Sequence, residues 1–534
     1  MIWEQELPKN PFSESRTWKI VASAGCGKSH TIRETIKDLV QSGTAPEEIM
    51  YLIFNRVPAD DFKAELRAEL DLDFPWINTH HSIAMRLMDV HFDKILVGKR
   101  LKAFGELYGM SFLSDEDEDK TEWDKILSSL DLKILDGSTD LDPYEALLLN
   151  RLKIEEEKGF YSFSRVLQTS IILEKVPPNI KYVFVDECQD NGKIQFDYLD
   201  YLKSLPSIEG IMVVGDDKQA INLFKGGRYQ LFLDWQADRY VCLGKTYRNA
   251  QKILDFANSI AEPINKRSPL TKETNVKQAG SVTYLTDLED SISIIKNDLR
   301  QKKSVFVLSR MNKHKYIAMG TLARYNIPVS SKPLDRVKQT FLLMQSMAKH
   351  ASFTYEEVLA LLPSDDPEDG QLNKTAYWKR GALAKFIHGG YDIEKEPLAL
   401  SEYCQFQAGN YEADLSLFGF SPDFLKDIFE TLNGTIPRGV WRGVSDDEIA
   451  QLEQVIKTYG VDYKPVRFST IHGIKGSECD TVVLLTNIAR IIQRTESSEI
   501  DEERRVWYVG ATRARTSLIV CPIQEHNGIY TTIL

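Results

Sequence analysis

The feature that most constrains this chain is the run Ala22-Ser23-Ala24-Gly25-Cys26-Gly27-Lys28-Ser29. The apolar stretch 18–23 reads as a buried strand, and Ile32, Ile36 and Leu39 follow it at helical spacing. Strand, glycine-rich turn and helix in that order describe a phosphate-binding loop. Its glycines let backbone N–H groups curl around phosphate oxygens, and the helix N-terminus adds a positive dipole. Lys28 then reaches the β- and γ-phosphates, and the Ser29 hydroxyl is a ligand for Mg²⁺.

A second site separates hydrolysis from phosphate transfer to another molecule. The apolar run 182–185 ends in Asp186-Glu187-Cys188-Gln189-Asp190. Asp186 is placed to hold Mg²⁺ through water, and Glu187 to polarise an attacking water, a role a kinase does not need. Arg248 and Arg513 occur in strand-end or helix-start contexts, positions from which guanidinium groups can stabilise a transferring γ-phosphoryl.

Short apolar runs alternate with helical patterns along most of the chain, so the expected fold is α/β with parallel sheets covered by helices. Runs at 18–23, 49–54, 182–185 and 211–215 supply a first core, with a helix at 58–70. Runs at 281–285, 304–309, 466–471, 481–485 and 517–521 supply a second, after a polar linker at 266–280. The segments 92–158 and 341–459 lack strand signals and read as helical insertions; the first holds an acidic stretch at 115–119, the second a loop-like stretch at 363–370. The expected division is a first core of 1–91 and 159–268, its insertion 92–158, a second core of 269–340 and 460–534, and its insertion 341–459.

Charge narrows the partners. Sixty-six Lys+Arg against 78 Asp+Glu leave a net charge of −12, which excludes a passive nucleic-acid coat but permits a locally basic groove. No apolar run is long enough to cross a membrane, and no basic segment leads into an apolar one at the start. The cysteines are scattered, with no C-x-x-C pair, so neither zinc nor a disulfide framework is suggested. A reducing cytoplasm is the expected location.

The order of motifs resembles that of the superfamily 1 DNA helicases of the UvrD/Rep/PcrA type. The phosphate loop is similar to the family's AGAGSGKT, and Asp186-Glu187-Cys188-Gln189-Asp190 to DExQD. Val214-Gly215-Asp216-Asp217-Lys218-Gln219 resembles VGDDDQ, and Thr246-Tyr247-Arg248-Asn249 resembles NYRS. The segment from Thr470-Ile471-His472 to Lys475-Gly476-Ser477-Glu478 resembles TLHxAKGLE, and that from Glu502 to Ala514 resembles EERRLxYVGxTRA. The resemblance implies two RecA-like P-loop cores, each interrupted by a mainly helical insertion, with Mg²⁺ and ATP bound between them. By it, Gln219 senses the γ-phosphate, Arg248 and Arg513 touch it, Tyr247 stacks on adenine, and Glu478 links nucleotide state to DNA. It also implies 3′→5′ movement on single-stranded DNA and separation of duplex at single-strand/duplex junctions. Compact members of this kind resemble phage-encoded helicases, which would place the chain in a host cytoplasm.

By the same resemblance Phe54 and Asn55, Thr79 and His81, Phe224, Thr470 and His472 are DNA-binding candidates, and Tyr530 falls near the position of a duplex-splitting aromatic. Departures bear on grip. Asn222 and Phe224 stand where the family has Tyr and Trp, so one base-stacking platform is lost and the other is smaller. Gln5 is a weak counterpart of the adenine-reading glutamine. The aromatic and basic clusters Tyr377-Trp378-Lys379-Arg380 and Arg438-Gly439-Val440-Trp441-Arg442 are weaker duplex-contact candidates. Two alternatives share these residues: a translocase that strips proteins from single strands, and a nucleotide-switched loader or recruitment factor. RNA stays open as a substrate, because backbone-tracking grooves discriminate sugars little, and a replication or repair protein partner stays unidentified.

Overall fold

In the computed structural model the described residues are 7–54, 56–113, 120–350, 360–361, 369–373, 422–488, 497–524, 529–531 and 533–534. Gln5, Asn55, the acidic stretch 115–119, residues 363–368, the cluster 377–380 and the Phe224 side chain lie outside them.

Six short segments build the first sheet: β1 (Thr17–Val21), β2 (Ile49–Ile53), β3 (Ile77–Thr79), β4 (Tyr182–Val185), β5 (Gly210–Gly215) and β6 (Arg239–Cys242). Their order is β3-β2-β4-β5-β1-β6, with every pairing parallel. β1, β2 and β5 are buried at every position, as a parallel sheet covered on both faces requires. One face packs Ile20, Ile32, Ile36 and Phe62; the other packs Val21, Val183, Val213 and Phe232. Sequence patterning missed β3 and β6, both short and at the sheet's edges. β6 opens on an exposed arginine, so it lacks the continuous apolar run that marks an inner strand.

Between the sheets, β7 (Lys245–Thr246) pairs with β8 (Glu273–Thr274). The second sheet takes β9 (Ser281–Tyr284), β10 (Val305–Ser309), β11 (Arg467–Thr470) and β12 (Cys479–Leu485). After the short β13 (Asn487–Ile488) comes its last strand, β14 (Ala514–Cys521); β15 (Ile529–Tyr530) then pairs antiparallel with β13. The order is β11-β10-β12-β14-β9, again parallel throughout.

The insertions differ in kind. The first carries its own core, with Phe104, Met110, Leu130, Leu148 and Leu152 packed between the helices Lys99–Tyr108, Glu122–Leu135 and Pro143–Glu156. The described helices of the second, Pro422–Glu430 and Asp446–Tyr459, share one core with the second sheet through Ile428, Ile449 and Leu452 against Val305, Val483 and Ile519.

Packing also moves the crossing between the cores upstream of the expected linker. The helix Gln251–Ala261 lies on the second sheet, with Ile253, Ala257 and Ile260 against Trp507 and Tyr508. Asn249 Nδ2 donates to the carbonyls of Thr512 and Ala514 at 3.0 and 2.6 Å, so the chain changes cores there. The stretch 266–280 is no free linker either, since Ser268 and Thr271 are buried.

Trp441 is a core residue and not a duplex contact. It is 4 % exposed, packs with Ile428 and Ile436, and donates from Nε1 to the Pro437 carbonyl at 2.7 Å. Arg438 pairs with Glu453 at 2.6 Å. Trp441→Ala should therefore destabilise the chain by about 3–5 kcal/mol, read by urea unfolding, while the folded variant keeps its affinity for single-stranded DNA. A weakened DNA affinity at unchanged stability would return Trp441 to the nucleic-acid surface.

Candidate nucleotide cleft and nucleic-acid path

Strand register brings the chemistry to one edge. Val21 pairs with Gly215 and Val185 with Val213, so the segments leaving β1, β4 and β5 emerge together at the carboxyl end of the sheet. Residues 23–29 line a cavity of ≈ 400 Å³ that also touches Asp186, Glu187, Asp190, Gln219, Tyr247, Arg248, Lys475, Glu478 and Arg513. It lies between the two cores and falls within the usual size of a small-molecule site.

Gly25 and Gly27 have φ of 72° and 85°, the left-handed backbone a phosphate-wrapping turn uses. Gly27 ends the turn immediately before the helix Lys28–Gln41. A side chain at Gly25 would fall on Arg248 and come within 2.7 Å of Thr246 Oγ1. Cys26 faces inward, its sulfur 3.4 Å from Thr271 Oγ1, and burial pushes its thiol up to about 11.

The carboxylates are held from both sides. Ser29 Oγ donates to Asp186 Oδ2 at 3.1 Å, and the Tyr51 hydroxyl donates to the same oxygen at 3.0 Å. Burial and then the neighbouring Glu187 charge push Asp186 above the usual carboxylate range. Burial acts the same way on Glu187, but Lys28 and Lys475 outweigh it and hold that carboxyl down at about 2. Glu187 has φ of 48°, unusual for a residue with a side chain and a conformation that stores strain at functional sites. A buried carboxylate beside a hydroxyl is the oxygen donor set a magnesium ion takes, and a cation there would relieve Asp186. Lys28, Arg248, Lys475 and Arg513 bring positive charge to the same cavity, so the residues present fit a metal-bound polyphosphate.

Contacts cross the cleft at Gln219. Arg513, 1 % exposed, donates from Nη2 to Gln219 Oε1 at 3.0 Å, and burial followed by the nearby Arg248 lowers its guanidinium to about 9. Lys475 donates to the Gln219 carbonyl at 3.0 Å, pairs with Asp190, and lies 3.8 Å from Glu187. Arg248 pairs with Glu478, which Arg515 also holds from Nε at 3.0 Å. Tyr247 is 66 % exposed at the cavity mouth, open to a flat ring. Sequence reading gave Lys475, Arg515 and Tyr51 no role, although Lys475 lies inside a motif quoted for its neighbours. Tyr51 carried no signal, because a tyrosine in an apolar strand reads as core.

The nucleic-acid candidates distribute along strand ends. Phe54 follows β2, and Thr79 ends the adjacent β3, where its hydroxyl caps the helix His80–Leu87 by accepting from Ser82 N at 3.2 Å. His81 stands edge-on to Phe163 at 5.9 Å, and Phe163 lies 6.2 Å from the exposed ring of Phe92, over which Arg100 sits at 5.5 Å. Burial lowers His81 to about 4. Burial and then Arg310, Lys225 and Lys475 lower His472 to about 4, so both rings are neutral hydrogen-bonding groups at pH 7. Thr470 ends β11 and accepts from Gly473 N at 3.2 Å. Tyr530 sits apart from these, opposite Asn487 in the β13–β15 pair. Asn222 is buried and bonded to Asp190.

Comparisons agree with the motif order. Residues 3–138 and 141–239 match the UvrD/REP helicase N-terminal domain, and residues 447–525 match the UvrD-like helicase C-terminal domain, together more than half of the chain. A probable DNA helicase II homolog of Mycoplasma capricolum is 23 % identical, over 97 % of this chain and 83 % of its own length. The ATP-dependent DNA helicases PcrA of Staphylococcus aureus and Staphylococcus epidermidis are 20 % and 22 % identical, each over 94 % of this chain and 80 % of their own.

The glycines of the loop give an ordered expectation. Gly25→Ala combines a left-handed backbone with overlap on Arg248 and should weaken nucleotide binding by at least about tenfold. Gly27→Ala meets nothing closer than His30 Cβ at 3.9 Å and should show only the backbone strain, about 1 kcal/mol. Titration with a fluorescent ATP analogue ranks the two, and equal losses would contradict the packing argument.

Proposed function

The chain belongs to the UvrD-like helicase family, and from that premise we propose that it is an ATP-dependent DNA helicase that moves 3′→5′ along single-stranded DNA and opens duplex at the single-strand/duplex junction. The observation that carries this reading is the set of contacts across the cleft from Gln219 to Arg513 and Lys475, because they make nucleotide occupancy and core separation one event. Ser29 and Asp186 are the proposed holders of Mg²⁺, which supplies neutralisation of phosphate charge when bound.

This chain's own side chains do the remaining work. Lys28 and Lys475 neutralise Glu187 and Asp190 as the protein stands, and they are the cations free to turn toward phosphate oxygens. Their turning releases Glu187 to orient and polarise the attacking water. Arg248 exchanges Glu478 for the γ-phosphoryl, while Arg515 keeps Glu478 in place. Arg513 leaves Gln219 for the same charge, and the two cores close on the nucleotide from opposite sides.

Movement of the cores reaches nucleic acid through strand ends. Residues 471–478 leave β11 beside Thr470 and His472 and finish in the cleft at Lys475 and Glu478, so a shift at one end is felt at the other. Phe54, His81, Phe163 and Phe92, with Arg100 beside them, form the proposed path for bases and backbone on the first core. The second reading, a translocase without processive unwinding, is favoured by one observation, the burial of Asn222 where a stacking aromatic would stand.

Lys28→Ala and Glu187→Gln should each lower ATP hydrolysis stimulated by single-stranded DNA by about 100-fold or more. Near-normal turnover in either variant would remove the site assignment. Strand displacement on 3′- and 5′-tailed duplexes should succeed on the 3′ tail alone. DNA-stimulated hydrolysis without displacement would select the translocase, and a rate indifferent to DNA would select a nucleotide-switched loader.

A further inference from the structure

Lys218 stands where the VGDDDQ pattern has a third acidic residue, and its side chain is completely buried. Burial opposes its charge, yet Asp216 and Asp217 hold it firmly protonated. All three ammonium donors are satisfied: Nζ reaches Asp216 Oδ1 at 2.7 Å, Ser268 Oγ at 2.7 Å and the Pro269 carbonyl at 3.4 Å. The other oxygen of Asp216 accepts from Gln219 Nε2 at 2.6 Å. That bond leaves Gln219 Oε1 as the face of the amide turned toward Arg513.

The opposite side of the cluster belongs to the segment that follows the helix Gln251–Ala261. Ser268 bonds to Asp217 through both its backbone N and its hydroxyl. From the second core, Arg505 donates to the Asp217 carbonyl at 2.9 Å and to the Lys266 carbonyl at 3.3 Å, with its guanidinium 3.9 Å over the Tyr229 ring. A displacement of the second core therefore pulls on residues 216–219 through Arg505 and through Ser268.

We propose that Lys218 is a positioning residue for Gln219: tied through Ser268 to the segment that follows the helix on the second sheet, its ammonium fixes Asp216, and Asp216 holds the Gln219 amide with Nε2 on Asp216 and Oε1 on Arg513. This rests on Gln219 acting as the γ-phosphate sensor, as read above. A fixed amide lets one residue both read the nucleotide and report core movement. The competing role for Lys218 is neutralisation of two buried carboxylates, which would support folding without acting through Gln219.

The two roles separate in a double-mutant comparison on the full-length chain. Lys218→Met and Ser268→Ala are made in the natural background and in Gln219→Ala, and ATP hydrolysis is measured with and without single-stranded oligo-dT. In the natural background Lys218→Met should lower the DNA-stimulated kcat by about tenfold or more and Ser268→Ala by about threefold, with KM for ATP within about twofold. In the Gln219→Ala background neither change should lower kcat further, because the residue they act through is gone. Equal fold-losses in both backgrounds, or an unchanged kcat in the natural one, would overturn the proposal. Should Lys218→Met fail to fold, Ser268→Ala, which removes a hydroxyl and no charge, decides by the same comparison. If the unaltered chain shows no DNA-stimulated hydrolysis, the helicase reading falls and this inference with it; if stimulation is present and the losses multiply, this inference falls alone.

Discussion

The structure depends on a buried run of polar contacts that begins at Glu187 and ends in the opposite core. Gln189 donates to Glu187 and accepts from Asp216 N at 2.9 Å; Asp216 accepts from Gln219, and Gln219 accepts from Arg513. In a low-dielectric interior an unpaired member of such a run is costly, so each group holds the next in one orientation. The run joins β4, β5 and the helix Ser497–Ala511, and it is the reason two separately packed sheets form one site.

Around that run the two sheets divide the work by strand position. In the first sheet the segments leaving β1, β4 and β5 carry the phosphate loop, the acidic pair and Gln219, while those leaving the neighbouring β2 and β3 carry Phe54, Thr79 and His81. A parallel sheet sends every loop from its carboxyl edge the same way, so the proposed nucleotide and nucleic-acid residues lie side by side. The second sheet adds a loop that spans both, running from Thr470 to Glu478. The insertions follow different rules: the first folds around its own apolar core, whereas the described helices of the second rest on the sheet and share its core.

Legibility in the sequence followed physical locality. The phosphate loop, the acidic pair and the inner strands were readable, because each depends on adjacent residues whose spacing dictates backbone conformation. The edge strands β3 and β6 were not, since an edge need not be continuously apolar. Trp441 beside two arginines reads as a nucleic-acid contact in one dimension, and its burial in the core appears only when the helix Asp446–Tyr459 packs nearby. The helix Gln251–Ala261 reads as part of the first core by position along the chain, yet its apolar face is buried on the second sheet. The stretch 266–280 reads as a solvated linker by composition, yet Ser268 and Thr271 are buried partners of Asp217 and Cys26.

The sequence by itself determined the local patterns on which the proposed chemistry rests: a glycine-rich turn between strand and helix, and paired carboxylates at a strand end. These are properties of short segments, and their residue types dictate them. Tertiary structure decided which cation faces which carboxylate, that Lys475 and Arg513 reach across to Glu187, Asp190 and Gln219, and that Lys218 is buried between Asp216 and Ser268. Apart from Lys218 with Asp216, those pairings join residues far apart along the chain. They exist because two parallel sheets present their loops to one cleft, and no local pattern encodes a partner hundreds of residues away.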